Sequence, residues 1–345
     1  MNTLFSQLVL NWYHENGRKN LPWKKYTNPY NIWISEIMLQ QTQVKTVIPY
    51  YEKFIKNFPN IKILANATID HILHVWSGLG YYSRAHNVHS TAKIILKNYK
   101  GKFPNNFIDI VKLPGIGRTT AGAILSFGFN FHACILDCNI RRILLRYFKL
   151  HEHTAKNSEK KLWSIIESLT PIHNSNKFNQ AIMDLGSLIC LRSRPNCKIC
   201  PLNKKCFYFS KKKWSTLNPI TTQKKISKKT IFFLIILYKN LIFLRKNKIS
   251  TIWKGLYCFP IFSNQLEILE WIKNKKIKIK NQKISTTFIH KLSHIQLFCI
   301  PISIQIKNLF SINEVDKHLW FNKNNPQRIG LPSPIKKIIN NTSHF

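Results

Sequence analysis

Four cysteines close together in the chain are the first candidates for chemistry in this sequence. They follow the spacing C-x6-C-x2-C-x5-C and are Cys190, Cys197, Cys200 and Cys206. Structural zinc more often uses two separated C-x2-C pairs, whereas one compact run suits a cuboidal [4Fe–4S] cluster, in which each iron takes one thiolate. The spacing therefore favours a [4Fe–4S] cluster over zinc. Thiols used in this way indicate a reducing compartment, and we expect the cytoplasm.

Three carboxylates stand inside apolar runs, out of only 14 Asp and Glu in the chain. They are Glu36 in IWISEIMLQ, Asp137 in ACILDCNI and Asp184 in QAIMDLGS. Burial disfavours a charged carboxylate, so a glutamate among isoleucines can stay protonated near neutral pH and act as a general acid. A second, better hydrogen-bonded carboxylate can stay ionised and stabilise a cation, which is the logic of glycosidic bond cleavage. For Asp184 we favour a structural acid held by helix N-termini or an arginine. For Glu36 and Asp137 both interpretations stay open.

The stretch LPGIGRTTAGAI places Gly115 and Gly117 directly before helix-forming residues. Glycine allows the backbone to turn tightly and to approach another molecule closely. The two glycines suit either a corner between packed helices or a loop that holds phosphate. Alone, this pattern is weak evidence for either.

The charge of the chain indicates a polyanionic partner. Lys and Arg number 53, and the formal net charge is +39 over 345 residues. Nucleic acid is the first candidate, although an A/T-biased genome would enrich lysine on solvated faces without any such role. The N-terminus lacks the basic start and apolar core of a signal peptide, and the longest apolar run, IFFLIILY, is too short for a membrane span. We therefore expect no membrane association.

Two compositionally different regions predict two domains. Residues 1–206 are mostly helical, with one or two helices over 31–58 broken near Pro49. Residues 207–228 are lysine-rich without apolar periodicity and predict a linker. Residues 229–345 predict an α+β domain, with a hairpin turning at Lys239–Asn240, a helix over 263–275 and further strands over 284–306.

The motifs together resemble the adenine DNA glycosylases of the MutY type, members of the helix-hairpin-helix glycosylase superfamily. They run in the family's order along nearly the whole chain: LPWKKYTNPYNIWISEIMLQQTQ, GLGYYSRAHN, LPGIGRTTAGAI, ILDCNIRR, FNQAIMDLGSLIC, the cysteine spacing, IWKGLYCFP and HKLSH. The resemblance implies an all-α glycosylase domain over 1–206, with a helix-hairpin-helix over 105–127 and a [4Fe–4S] cluster loop over 190–206. A NUDIX-like α+β domain over 229–345 would follow it.

The resemblance also implies the reaction and its residues. Glu36 would protonate the flipped adenine at N7, and Asp137 would stabilise the oxocarbenium sugar, directly or through a transient adduct. Water would complete the hydrolysis and leave an abasic site. The adenine pocket would be lined by Trp23, Leu39 and Gln180. Two residues would enter the duplex, Gln41 as a wedge and Tyr81 beside the lesion.

The hairpin then gains a role as a phosphate-binding element of a monomeric protein on duplex DNA. Gly115 and Gly117 would let backbone N–H groups reach phosphate. Thr119 occupies the position where relatives with lyase activity carry a nucleophilic lysine, which argues for a monofunctional glycosylase. The nearest rival is an endonuclease III-like glycosylase and lyase, which would need that lysine and would lack Glu36 and the second domain.

The second domain resembles the family's MutT-like domain, which recognises 8-oxoguanine opposite adenine. The preferred substrates would be A:8-oxoguanine and A:G mispairs. Ser293 and His294 match the family's Phe-Ser-His loop, but Leu292 replaces the phenylalanine. The domain lacks the glutamate cluster that pyrophosphate hydrolysis needs, so we expect recognition without hydrolysis. Cys138 stands where the family usually has glycine after the catalytic aspartate.

Overall fold

A computed structural model describes residues 2–25, 27–150, 155–210, 226–247, 252–292, 295–310 and 318–341. The chain forms two compact units. The first unit comprises Met1–Asn66 and Asn87–Thr221, and the second comprises Ala67–His86 and Thr222–Phe345. No helix among the described residues is long and apolar enough to cross a bilayer.

The N-terminal part of the chain is helical, as predicted. Its helices are α1 Asn2–Asn16, α2 Pro22–Lys25, α3 Pro29–Leu39, α4 Val44–Asn57, α5 Ile61–Asn66, α6 Ile69–Trp76, α7 Ser83–Asn98, α8 Phe107–Val111, α9 Arg118–Ala123, α10 Cys138–Tyr147, α11 Ala155–Leu169, α12 Ser175–Leu188 and α13 Phe207–Ser210. A π-helical turn, Ile124–Gly128, continues α9, and 3-10 turns lie at Cys197–Ile199 and Asn203–Lys205. Helix α6 and the first residues of α7 belong to the second unit.

The helix break predicted near Pro49 lies elsewhere. Helix α3 ends at Leu39 and α4 begins at Val44, so the break falls at residues 40–43 and Pro49 stands inside α4. Gln41 takes a left-handed backbone with φ 56° at this break. Proline removes only one intrahelical hydrogen bond, and the buried face of α4 holds the helix together despite that loss.

The C-terminal part is α+β, as predicted. Its elements are β1 Ser227–Tyr238, β2 Leu241–Lys246, β3 Tyr257–Cys258, β4 Ile261–Phe262, α14 Gln265–Asn274, β5 Ile279–Ile284, β6 Phe288–Lys291, β7 Ile295–Ile306, β8 His318–Asn322 and α15 Ser333–Asn341. The predicted hairpin is confirmed, since Tyr238 pairs with Leu241 across the turn at Lys239–Asn240. Of the predicted linker, residues 207–210 form α13 and 227–228 begin β1, while 211–225 lie outside the described residues.

The sheet is organised around a long parallel pair. Strands β1 and β7 pair from Ser227 with Ile295 to Leu237 with Gln305. The strand order along the sheet is β3-β2-β1-β7-β5. Successive side chains point to opposite faces of a strand. On one face, Leu234, Ile236 and Ile304 pack in one cluster with Ile268 of α14. On the other face, Ile235 lines a pocket together with residues of α15.

Candidate active site

Helix α3 holds Glu36 half-buried in the first unit. The helix begins with Pro29 after Asn28, whose side chain accepts a hydrogen bond from Asn31 N at 2.8 Å. This cap satisfies one of the free N–H groups at the helix start. The residues on either side of Glu36, Ser35 and Ile37, are buried. Burial, followed by the charge of Asp137, raises the pKa of Glu36 to about 7.

Asp137 begins helix α10 as its N-cap. Its carboxylate accepts hydrogen bonds from Asn139 N at 3.0 Å, Ile140 N at 2.7 Å and Asn139 Nδ2 at 2.8 Å. Burial raises the pKa of Asp137 above its usual value, and these donors together with the charge of Arg142 reduce that rise. The two carboxyls interact, because the charge of Asp137 contributes to the raised pKa of Glu36. Their surroundings differ, because the hydrogen bonds given for the described residues favour the ionised form of Asp137 and not that of Glu36. Such a pair can hold one proton near pH 7 on Glu36.

A further layer of contacts orients Asp137. Arg142 Nη2 donates to Asn139 Oδ1 at 2.8 Å and to the Gly186 carbonyl at 2.6 Å. Arg142 Nε donates to the carbonyl of Cys190 at 2.7 Å. The arginine fixes Asn139 with its Nδ2 group toward Asp137. Arg142 therefore also links Cys190, the first of the four cysteines, to Asn139, which donates to Asp137.

Sequence reasoning did not find Asn139 or Arg142 as site residues. The signal was present in ILDCNIRR, where the two residues are three positions apart and share a helix face. Cys138, between them and Asp137, has an exposed side chain at the start of α10. The change from glycine is accommodated without burying the new side chain.

Asp184 is a structural acid, as predicted. It is 3% exposed, and it accepts hydrogen bonds from Arg18 N and Arg18 Nε, both at 2.9 Å, as well as from Arg18 Nη2. Lys24 Nζ lies 3.7 Å from its other oxygen. A buried carboxylate with this many cationic donors is satisfied within the protein. Asp184 thus anchors α12 to the segment after α1.

The glycine-rich hairpin joins α8 to α9. Gly115 has φ +79°, and a Cβ there would lie 2.9 Å from Asn87 Cβ, so the turn and its packing both require glycine. Gly117 is the N-cap of α9, and a Cβ there would meet nothing within 4 Å. Nothing among the described residues therefore demands glycine at position 117, which leaves room for a molecule outside the chain.

Thr119 contacts the residue that precedes Asp137. Its hydroxyl donates to the carbonyl of Leu136 at 3.0 Å, and Leu136 directly precedes Asp137. One short segment thus carries the two glycines of the hairpin and a side chain that contacts the residue before Asp137.

The residues implied for base and duplex contacts occupy different environments. Trp23 is only 5% exposed and meets Tyr51 edge-on at 5.4 Å, which is core packing. Leu39 and Gln180 are half-buried, and Gln41 is exposed. Tyr81 is 41% exposed and belongs to the second unit.

The four cysteines line one cavity. The walls come from α10, α12 and the turns that follow, and include Ile143, Leu185 and Tyr208, with no carboxylate among them. Arg146 Nη1 donates to Cys190 Sγ at 3.3 Å. In the described part of the chain no group of three or more His, Cys, Asp or Glu side chains is arranged to hold a single metal ion. Four thiols around one apolar cavity are a donor set that fits the predicted [4Fe–4S] cluster.

The loop that is predicted to recognise 8-oxoguanine is described only at its edges. Ser293 and His294 lie outside the described residues. Leu292 N donates to the carbonyl of Ile295 at 2.8 Å, which links the residue after β6 to the first residue of β7. In α14, Glu267 accepts hydrogen bonds from Ser263 N and Asn264 Nδ2 at the helix start and is engaged in capping.

Comparison with known proteins defines the class. Residues 34–168 match the HhH-GPD superfamily of base excision DNA repair proteins, and residues 231–341 match a NUDIX domain. The chain is therefore a helix-hairpin-helix glycosylase joined to a NUDIX-like domain. A solved structure of a thermostable thymine-DNA glycosylase is 28% identical with a TM-score of 0.57, covering 61% of this chain and 97% of that one.

Relatives of known name define the family. The adenine DNA glycosylase of Buchnera aphidicola subsp. Baizongia pistaciae is 54% identical over 100% of this chain and 99% of its own length. That of Buchnera aphidicola subsp. Acyrthosiphon pisum is 52% identical over 98% and 97%. The Rattus norvegicus adenine DNA glycosylase is 36% identical over 59% of this chain and 41% of its own length. The chain belongs to the adenine DNA glycosylase family, enzymes of base excision repair.

Proposed function

We propose that this enzyme hydrolyses the N-glycosidic bond of adenine mispaired with 8-oxoguanine or guanine and leaves an abasic site. The observation that carries the proposal is the pair of unlike carboxyls. Glu36 has a pKa of about 7 through burial and the charge of Asp137, while Asp137 accepts three hydrogen bonds. One carboxyl is set to give a proton and the other to face a cation.

In the proposed reaction, Glu36 donates its proton to N7 of an extruded adenine. The protonated base becomes a better leaving group, and the C1′–N9 bond breaks with its electron pair moving to the base. Asp137 stabilises the positive charge that develops on the sugar. Water then adds to C1′ and loses a proton, so that the products are free adenine and an abasic sugar.

Other residues of the chain would hold the substrate. We assign Trp23, Leu39 and Gln180 to the walls of the adenine pocket; the ring of Trp23 is buried, and Leu39 and Gln180 are half-buried. Gln41 is exposed on a left-handed turn directly after α3, the helix of Glu36, which suits a wedge. Tyr81 is exposed as an intercalating ring requires. Extrusion costs a few kcal/mol of unstacking, which such insertions offset.

The hairpin and the basic surface would bind the duplex backbone, with the protein acting as a monomer. Gly117 faces open space, so its backbone can approach a phosphate closely. Lys198, Lys204 and Lys205 are exposed in the cysteine loops and add positive charge. Backbone contacts of this kind do not read sequence and weaken with salt.

We assign the four cysteines as ligands of a [4Fe–4S] cluster. The fit rests on four thiols around one apolar cavity without carboxylates. When bound, the cluster would order residues 190–206 as a structural centre. Arg142 holds the carbonyl of Cys190 and therefore ties this loop to Asn139.

The second domain would recognise 8-oxoguanine through Ser293 and His294 without hydrolysing nucleotides. Its four acids form two separated pairs, and one member, Glu267, is engaged in helix capping. Magnesium-dependent pyrophosphate hydrolysis needs more clustered carboxylates than this.

One sample tests the proposal. Adenine release is measured from duplexes that contain A:8-oxoguanine, A:G and, as a control, A:T, and iron and sulfide are determined on the same protein. We expect release from the two mispairs and not from A:T, with about four irons per chain. No release from either mispair would contradict the proposed function, and an iron-free active protein would contradict the cluster.

Thr119→Lys is expected to add lyase activity. The Thr119 hydroxyl lies 3.0 Å from the Leu136 carbonyl, so a lysine at this position would place its amine beside Asp137 and near C1′ of the sugar. Such an amine can form a Schiff base with the opened abasic sugar. We expect borohydride trapping at least about tenfold above the parent, whereas Thr119→Ser should trap no better than the parent. Equal trapping by all three proteins would refute the assigned position of Thr119.

Leu292→Phe is expected to sharpen the preference for 8-oxoguanine over guanine. An aromatic ring stacks on a base more strongly than leucine does, by about 1 kcal/mol, so the ratio of the two rates should rise about two- to tenfold. Leu309→Phe, at an exposed leucine of the same domain, is the matched control. An unchanged ratio in Leu292→Phe would remove this residue from the recognition loop.

A further inference from the structure

Tyr81 stands on a loop whose backbone is tightly fixed. Gly78, Gly80 and Tyr81 have φ values of 106°, 78° and 47°. The carbonyl of Gly80 accepts hydrogen bonds from Trp76 Nε1 at 3.1 Å and from Arg84 Nη2 at 3.2 Å. The Arg84 guanidinium also lies 5.3 Å from the Tyr81 ring. The loop therefore presents an exposed ring from a backbone with little freedom of its own.

Residues 329–331 contact the end of α6, where this loop begins. Ser77, the C-cap of α6, donates from its hydroxyl to the carbonyl of Leu331 at 2.5 Å. One turn earlier, His74 Nδ1 lies 3.1 Å from the carbonyl of Ile329. The last turn of α6 and its C-cap are thus joined by two polar contacts to the backbone of residues 329–331, all within the second unit.

Gly330 lets this backbone approach α6 closely. A Cβ at Gly330 would lie 2.6 Å from Leu73 Cβ and 2.8 Å from Leu256 Cδ2. Both distances are shorter than real carbon contacts, and both partners are fully buried, so a side chain at position 330 would push α6 away. The contact is therefore specific to glycine.

The beginning of α6 is attached to the same unit by an ion pair. Lys246 Nζ of β2 lies 2.5 Å from Asp70 Oδ1, and the two side chains are 14% and 31% exposed. The chain has only 14 acidic residues against 53 basic ones, and one of those acids, Asp70, is paired with a lysine of the sheet at this contact. Both ends of α6 are consequently held by residues that follow position 222.

We infer that residues 329–331, through Ser77, are positioning residues that set where the Tyr81 ring enters DNA. This inference rests on the proposed role of Tyr81 as the intercalating residue. Segment 67–86 forms one compact unit with Thr222–Phe345, the part of the chain that we propose recognises 8-oxoguanine. Mismatch recognition and intercalation would then be coupled through α6 rather than act independently.

A double-mutant cycle between Ser77 and Tyr81 tests this inference. The full-length variants Ser77→Ala, Tyr81→Ala and the double variant are compared on a duplex with 8-oxoguanine opposite a non-cleavable adenine analogue. We measure Kd and the fluorescence of 2-aminopurine placed beside 8-oxoguanine, which rises when the stack opens. Loss of the hydroxyl contact should weaken binding about three- to tenfold and reduce the fluorescence rise.

The coupling distinguishes positioning from general stability. In the Tyr81→Ala background, Ser77→Ala should cost nothing further, because the ring it positions is gone. Ser77→Thr should retain binding, and Ser168→Ala, at an exposed serine on α11, should behave as the parent. Gly330→Ala should reproduce Ser77→Ala with a larger loss.

Two outcomes would overturn the inference in different ways. If Ser77→Ala weakens binding equally with and without Tyr81, residues 329–331 act on stability and not on the ring. If Tyr81→Ala itself leaves Kd and fluorescence unchanged, the intercalating role fails, and this inference fails with it. The second outcome leaves adenine release by Glu36 and Asp137 intact, so it is separate from failure of the proposed reaction.

Discussion

Glu36→Gln is expected to lower adenine release from an A:8-oxoguanine duplex by about 10²- to 10⁴-fold, the range of a lost general acid. Glutamine keeps the shape and one hydrogen-bond acceptor but cannot give a proton to N7. Duplex binding should be retained, since the variant changes neither the hairpin nor the basic surface. Single-turnover adenine release is the measurement, and Glu52→Gln, at an exposed glutamate on α4, is the matched control.

The pH dependence of the parent gives an independent check on Glu36. Only the protonated form is active as an acid, and its pKa is about 7, so the rate should fall about tenfold per unit above pH 7. Below pH 7 the rate should be level until Asp137 itself is protonated, and there it should fall again. The folded protein holds this proton more tightly than the unfolded chain, where the pKa is 4.5. The associated stability is present below pH 4.5 and is lost as pH rises through 7.

At pH 8 the free energy of unfolding of Glu36→Gln should therefore equal that of the parent or exceed it, by up to about 3 kcal/mol. A variant that is inactive and also unfolds more easily at pH 8 would point to a structural role for Glu36 instead. An inactive variant with a raised Tm would support the role of Glu36 as a general acid that is held in a destabilising environment for the sake of the reaction.

The features that could be predicted from the sequence are those that a few neighbouring residues determine. Glu36 is flanked by isoleucines, so its burial and its raised pKa follow from local composition. The hairpin at Lys239–Asn240 also follows from a local pattern, and the structure confirms it. Asp184 was predicted to be held by helix N-termini or an arginine because a buried acid needs such partners, although the sequence could not identify Arg18.

Long-range contacts could not be predicted in the same way. The parallel pairing of β1 with β7 joins residues nearly 70 positions apart, and no local pattern encodes which strand is the neighbour. Helix α6 has an ordinary amphipathic sequence, so nothing in it revealed that Asp70 and Ser77 contact residues beyond position 222. The contact of Arg142 with the Cys190 carbonyl likewise depends on packing of α10 against α12 and its loop.

Asp137→Asn is expected to lower adenine release by about 10³-fold, because it removes the one negative charge that faces the developing cation. Asparagine is as good an N-cap as aspartate, so the bonds from Asn139 N and Ile140 N to the side-chain oxygen at position 137 can persist. The remaining contact cannot persist. It would bring the new side-chain amide at position 137 against Asn139 Nδ2, and Asn139 cannot turn over because Arg142 Nη2 holds its Oδ1.

The loss in Asp137→Asn thus combines missing charge with two opposed N–H groups, and a second substitution separates them. In the double variant Asp137→Asn with Asn139→Asp, the carboxylate introduced at position 139 can accept from the amide introduced at position 137 and from Arg142. This restores every hydrogen bond while moving the charge by two positions. We expect its Tm to return close to that of the parent and its adenine release to remain about 10³-fold down. Recovery of both adenine release and Tm would mean that Asp137 serves only to cap α10. The hydrogen bonds survive the exchange of the two side chains, whereas a charge that stabilises a cation loses its effect when it is moved.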